Sequence, residues 1–188
     1  KLISINSGKF GERFWKIANA FNIPCVEIKN PWDIPASLDS VLEALKNNPD
    51  IDAFCIQACE SAGGLRHPYE IIAKAIKEYN PEIMVIVDGI TAMGVEKLDV
   101  SCIDALIGGS QKAFMLPPGM SIIGLSQKAI QKIEERNVGF YFNLKTELKN
   151  QTKNTTAWTA PTTIIIGLCA FLEKAKEIGF DEIYHDTK

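Results

Sequence analysis

Three residues combine reactive chemistry with a setting that could use it: Lys112, Asp88 and Ser61. Lys112 lies in Gly108-Gly109-Ser110-Gln111-Lys112-Ala113-Phe114-Met115-Leu116-Pro117-Pro118-Gly119, where glycines flank it and two prolines stiffen the exit. A lysine amine forms a Schiff base with an aldehyde when a dry or cationic setting lowers its pKa. Asp88 closes the apolar run Val85-Ile86-Val87 and precedes Gly89. Ser61 stands in Cys59-Glu60-Ser61-Ala62-Gly63-Gly64. A lysine for an aldehyde and a carboxylate for a pyridinium nitrogen are the two protein groups that pyridoxal phosphate chemistry needs.

Those residues need strands to hold them. Apolar runs predict strands over Leu2 to Ile5, Cys25 to Ile28, Ala53 to Gln57, Ile83 to Val87, Ile103 to Ile107 and Ser121 to Leu125. Between them, Phe10, Phe14, Ile17, Ala18 and Phe21 form a helical stripe. Further helices are predicted after Ser37, from Pro68, after the cap Ser126 and from Pro161. Residues 143–156 are polar and read as a loop or a weak helix. Strands alternating with helices imply an α/β fold, a three-layer sandwich around a mostly parallel sheet. Ligands of such sheets bind beyond the carboxyl ends of the strands. Ser61, Asp88 and Lys112 all fall at predicted strand ends.

The bulk composition narrows the class. At 188 residues the chain is long enough for a sizeable core. Its 46% hydrophobic and 23% charged residues are those of an ordinary globular protein. A net charge of −3 provides no basic footprint for nucleic acid. No apolar run approaches the roughly 18 residues of a membrane span. The cysteines (Cys25, Cys55, Cys59, Cys102, Cys169) are odd in number and irregularly spaced, which argues against a disulfide framework. No second Cys or His pair accompanies Cys55 and Cys59, so no metal site is expected. We read the cysteines as buried thiols of a cytoplasmic protein. The opening Lys1-Leu2-Ile3-Ser4-Ile5 reads as a strand entered from upstream, so a fragment is expected.

The Glu60–Gly64 segment, Val87-Asp88-Gly89-Ile90-Thr91-Ala92-Met93-Gly94 and Gly109-Ser110-Gln111-Lys112-Ala113 with Pro117-Pro118-Gly119 resemble the class V aminotransferases. The branch resembled is that of alanine–glyoxylate and serine–glyoxylate (serine–pyruvate) aminotransferases. Asn6-Ser7-Gly8-Lys9-Phe10-Gly11-Glu12-Arg13 and Thr159-Ala160-Pro161 are similar to it too. The resemblance implies a truncated large domain of the fold type I pyridoxal phosphate-dependent transferases. It implies a cofactor-binding part over 1–160, then a long helix over 161–188 leading toward a small domain. Lys112 would be the Schiff-base lysine and Asp88 the partner of the pyridine nitrogen. Ile90 would pack on the ring, Ser61 contact the cofactor and Gln111 lie near the phosphate. Thr159 would reach the phosphate of a neighbouring subunit, in a homodimer whose site is shared across the interface. The implied substrates are a small amino acid, alanine or serine, and a 2-oxo acid such as glyoxylate or pyruvate. The resemblance puts the phosphate-gripping Gly-rich loop and a ring-stacking aromatic before residue 1, and the substrate-binding arginine after residue 188.

The chain departs from the pattern at Thr156, where the family often has tyrosine, and at Ala62-Gly63, where it usually has hydroxyl residues. Other class members set alternatives. A desulfurase-like lyase usually carries His before the lysine, where this chain has Gln111. A non-catalytic subunit that kept the fold is the second. A dinucleotide-binding enzyme is disfavoured, because residues 6–11 lack the G-x-G-x-x-G order. Glu60 reads equally as a loop charge or as a hydrogen-bond acceptor behind the site, and Trp158 as core or interface. His67, before Pro68, reads as a surface residue at a helix start, and His185 receives no role.

Overall fold

The computed structural model describes residues 1–187. A six-stranded sheet runs through it, built from β1 (Leu2–Asn6), β2 (Cys25–Lys29), β3 (Ala53–Gln57), β6 (Met84–Asp88), β7 (Ala105–Gly109) and β8 (Ser121–Leu125). The remaining strands, β4 (Cys59–Glu60) and β5 (Leu65–Arg66), form a small antiparallel hairpin. The sheet order is β2-β1-β3-β6-β7-β8, parallel except for the β7–β8 pair. The α/β expectation therefore holds.

Helices α1 (Glu12–Ala20), α2 (Leu38–Asn47) and α3 (Tyr69–Tyr79) make the crossovers. The path steps outward from β1 to β2, then back over β1 to β3 and on to β6. Right-handed crossovers put α1 on one face and both α2 and α3 on the other. The packing of α2 against α3 agrees. The order reverses between β1 and β3, which makes their carboxyl ends the topological switch point, where such sheets bind ligands.

The core lies between the sheet and α2/α3. Ile3, Ile5, Val41, Leu45, Phe54, Ile56, Ile72, Ile76, Val85 and Val87 are buried there. Each large apolar side chain contributes about 1.5–3 kcal/mol on burial. At the other end of the sheet Asp104 is a polar staple. It accepts from Lys77 Nζ, from Val85 N at 2.8 Å and from Ser126 Oγ at 2.9 Å. Ser126 Oγ in turn caps α4 (Gln127–Glu135) by accepting from Ala129 N at 3.1 Å.

Several expectations shift. The strand predicted from Ile103 runs from Ala105 to Gly109, because Asp104 staples and the two glycines extend the strand. Residues 143–156 contain α5 (Leu144–Gln151), with Asn143 as its cap. The single long helix from Pro161 is two, α6 (Thr162–Ile178) and α7 (Phe180–Asp186), broken at Gly179. The helical stripe on α1 buries only Ala18, while Ile17 and Phe21 face outward. Of the cysteines only Cys55 is buried; Cys169 is exposed, so burial does not describe the set. His67 is fully buried, contrary to its surface reading.

Candidate active site

Lys112 sits on a closed loop between β7 and β8. Ser110, itself buried, is the clasp: its Oγ donates to Pro117 O at 2.7 Å and its N–H to Met120 O at 3.1 Å. Leu116 N returns to Ser110 O at 3.1 Å, and Met115 N to Lys112 O at 2.9 Å. Helix α6 backs this loop. Phe114 meets Phe171 edge-on with ring centroids 5.3 Å apart. A Cβ on Gly119 would lie 2.9 Å from Ile164 Cδ1, and one on Gly167 2.8 Å from Leu116 Cδ2. The loop is packed from behind while Lys112 is exposed in front.

Asp88 ends β6, beside β7, and its register partner there is Ile107. Its Oδ1 accepts from Ile90 N at 3.0 Å, which turns the chain after the strand. Gly89 N donates to Ile107 O at 2.8 Å and holds that turn on the neighbouring strand. Burial pushes the Asp88 carboxyl above the ordinary aspartate range, and Glu60 adds to this; the Ile90 N–H and the positive charges of Arg13 and Lys112 pull it down. A half-buried carboxylate at a strand end is a group that can pair with a cationic ligand atom.

Gly109 explains how the neighbouring groups meet. A Cβ there would come within 2.8 Å of Gln111 Oε1 and 2.9 Å of Ile90 Cδ1. Ile90 and Gln111 thus close over the glycine that separates the Asp88 turn from the lysine loop. Gly94, at φ +87, adds a second junction, with a built Cβ 3.0 Å from Ala113.

Ser61 is exposed at the tip of the β4–β5 hairpin. Next to it, Glu60 is completely buried. Its Oε2 accepts from Gly11 N at 2.7 Å and Phe10 N at 3.0 Å, and its Oε1 from Ala62 N at 3.1 Å. The open question over Glu60 resolves to an acceptor. Phe10, read from the sequence as part of a helix stripe and of the Asn6–Arg13 segment, ends the loop after β1 beside Glu60, with Arg13 stacked 4.8 Å above its ring. The glycines framing Phe10 in residues 8–11 were the available signal. Gly63 is pressed against the carbonyl of Trp32, with no space for a Cβ.

The sheet thereby brings Ser61, Asp88, Ile90, Gln111 and Lys112 to the carboxyl ends of β3, β6 and β7. Thr159 belongs to a different region, exposed in the segment ahead of α6. Beside it, Trp158 Nε1 donates to Tyr141 O at 2.9 Å and its ring stacks on Tyr141 at 5.0 Å. Phe140 and Phe142 project outward nearby, 82% and 90% exposed.

The mostly parallel sheet and its flanking helices have the fold of the type I pyridoxal phosphate-dependent aminotransferases, as solved structures show. The aminotransferase class-V pattern matches residues 16–188, and the chain belongs to that family. It is 63% identical over 189 residues to a Helicobacter pylori (strain J99) protein named an uncharacterized aminotransferase, covering 100% of this chain and 51% of that protein. It is 28% identical over 195 residues to a serine–glyoxylate aminotransferase of Methylorubrum extorquens, covering 98% of this chain and 48% of that protein. A solved Thermus thermophilus aspartate aminotransferase of subgroup IV superposes with a TM-score of 0.88 at 27% identity, covering 98% of this chain and 51% of that one. The chain spans about half the length of the curated relatives it matches.

Proposed function

We propose that this chain is the cofactor-binding half of a pyridoxal phosphate-dependent aminotransferase. It would move an amino group from a small amino acid, alanine or serine, to a 2-oxo acid such as glyoxylate or pyruvate. The observation that carries the reading is Lys112 and Asp88 at the ends of adjacent parallel strands, with Ile90 and Gln111 between them. The donor set fits the group: one amine for an aldehyde, one carboxylate for a ring nitrogen, one apolar side chain for a ring face. Serine–glyoxylate activity in a 28% identical relative supports the substrate class.

When bound, pyridoxal phosphate supplies an electron-poor ring that takes up charge from a substrate's α carbon. The chain's own residues do the rest. Lys112 Nζ would hold the aldehyde carbon, and once released would carry the proton between two carbons as base and then acid. Asp88 would stay ionised against the protonated ring nitrogen. Gln111 and Ser61 would orient the group by hydrogen bonds, and Ile90 would pack on its ring.

We further propose a homodimer. The exposed Phe140, Tyr141 and Phe142 beside Trp158 and Thr159 form an apolar face that supports an interface there, with Thr159 reaching the partner's phosphate. Five unpaired cysteines support a reducing, cytoplasmic setting. The domain reading stands as a proposal too: residues 1–160 for the cofactor part, 161–188 leading toward a smaller domain.

The test is a panel of amino donors and 2-oxo acids on the full-length protein. Coupled loss of alanine or serine and gain of glycine from glyoxylate is expected. Release of sulfide or ammonia without an acceptor points instead to a lyase, and no turnover with any pair to a non-catalytic subunit.

A further inference from the structure

The strongest unassigned group is Glu60. It is a carboxylate with no exposed surface at the switch point of the sheet, between the β1–α1 turn and the hairpin that carries Ser61. A buried carboxylate is costly unless its oxygens are satisfied. Here three backbone N–H groups do so, two from Phe10 and Gly11 and one from Ala62. The first two precede α1, so the charge also faces the positive end of that helix. The fit is close: a Cβ on Gly8 would lie 2.8 Å from both Cγ and Cδ of Glu60.

The turn that Glu60 grips leads toward Asp88. Arg13 stacks on Phe10 at 4.8 Å. The carbonyl of Phe10 accepts from Gln57 Nε2 at 3.4 Å. Gln57 is the register partner of Asp88 on the adjacent strand. We propose that Glu60 is a positioning residue: it fixes the Gly8–Arg13 turn against the Ser61 hairpin, so that Arg13 is held as a cation facing Asp88. The charged groups facing Asp88 are then Arg13 from α1, Glu60 from β4 and Lys112 from its loop. This rests on the cofactor reading above.

The sign of one shift separates the roles. Glu60's own negative charge favours protonated forms nearby, so removing it alone lowers the pH midpoint of any adjacent titration. Losing a positioned Arg13 raises it. The experiment is a pH titration of the visible absorption band of the full-length protein with pyridoxal phosphate, for wild type, Glu60→Gln, Arg13→Ala and the double variant. Cofactor dissociation constants and melting temperatures are read alongside. We expect Arg13→Ala to raise the midpoint, Glu60→Gln to raise it too, and the double variant to move no further than Arg13→Ala. We also expect about tenfold weaker cofactor binding in Glu60→Gln, the cost of re-ordering a loosened Gly8–Arg13 turn on binding. A lowered or unmoved midpoint in Glu60→Gln overturns the proposal, whatever happens to its melting temperature. An unmoved midpoint in Arg13→Ala overturns it even if Glu60→Gln fails to fold. Absence of any visible band in the wild type overturns the cofactor reading itself, and the inference with it.

Discussion

Asp88 and Ile107 are register partners on adjacent parallel strands, and Lys112 follows on the loop that leaves the Ile107 strand. The Asp88 turn and the start of the lysine loop are thus placed by one sheet pairing, with Gly89 N bonded to Ile107 O as its last rung. Parallel register leaves both groups on the same edge of the sheet, where the field of Lys112 reaches the Asp88 carboxyl.

Asp88→Asn keeps the size of the side chain and removes its charge. The amide still accepts from Ile90 N, so the turn is retained. Turnover by the full-length protein is expected to fall on the order of 10²- to 10³-fold, as for the loss of one preorganised charge partner. Cofactor affinity is expected to weaken about tenfold or more. Steady-state kinetics and a cofactor titration check both; unchanged turnover contradicts the assigned role.

Gly63→Thr restores the residue type usual in the family at that position. Here it forces a Cβ onto the Trp32 carbonyl, which is backbone and cannot swing aside. A cost of about 1–3 kcal/mol is expected, the scale of overpacking in a filled site. Thermal unfolding measures it, with Ala62→Ser as the control at an exposed neighbour. Equal stability of both variants contradicts the close approach.

His67 predicts a pH dependence of stability. Its Nδ1 accepts from Ala36 N at 3.0 Å, which requires a neutral ring, and burial lowers its pKa against the pull of Glu60. The unfolded chain therefore takes up the proton first as pH falls. Stability is fullest above the ordinary histidine value of about 6.5 and declines below it. Melting temperatures from pH 8 to pH 5 are expected to fall, and to fall less steeply in His67→Gln. An identical slope in the variant contradicts the buried neutral ring.

Phe142→Ser at the exposed aromatic face is expected to weaken the proposed dimer and leave the fold of each subunit intact. Phe142 is 90% exposed, so its truncation costs little within one chain. Sedimentation over a concentration series on the full-length protein reads the dissociation constant, and an unchanged constant moves the interface elsewhere.

Much of the fold was legible because period and chemistry agreed. The run Ala53–Gln57 reads as a buried strand and is one, and Ser126 reads as a cap and accepts from Ala129 N. Lys112 and Asp88 were legible as strand-end residues for the same reason. Other features depend on distant partners. His67 reads as a surface residue from its place before Pro68 at a helix start, yet it is buried and its Nδ1 accepts from Ala36 N, thirty-one residues away in the chain. Glu60 was undecided because its donors lie some fifty residues upstream, at Phe10 and Gly11. The predicted strand stops at Ile107, but Gly108 and Gly109 lie within β7, where the side chains of Met93 and Ile90 crowd the positions of their missing Cβ atoms. The stripe on α1 had the right period, and Ala18 is buried with Phe10 and Phe14 partly so, while Ile17 and Phe21 at its margin stay exposed.

The central claim is that Lys112 is the covalent anchor. Its most direct test is the absorption spectrum of the full-length protein with pyridoxal phosphate, followed by borohydride reduction and peptide mapping, for wild type and Lys112→Ala. The expected result is a visible band in the wild type, a cofactor-modified peptide containing Lys112, and neither in the variant. A band that survives in Lys112→Ala, or a modified peptide that lacks residue 112, contradicts the account.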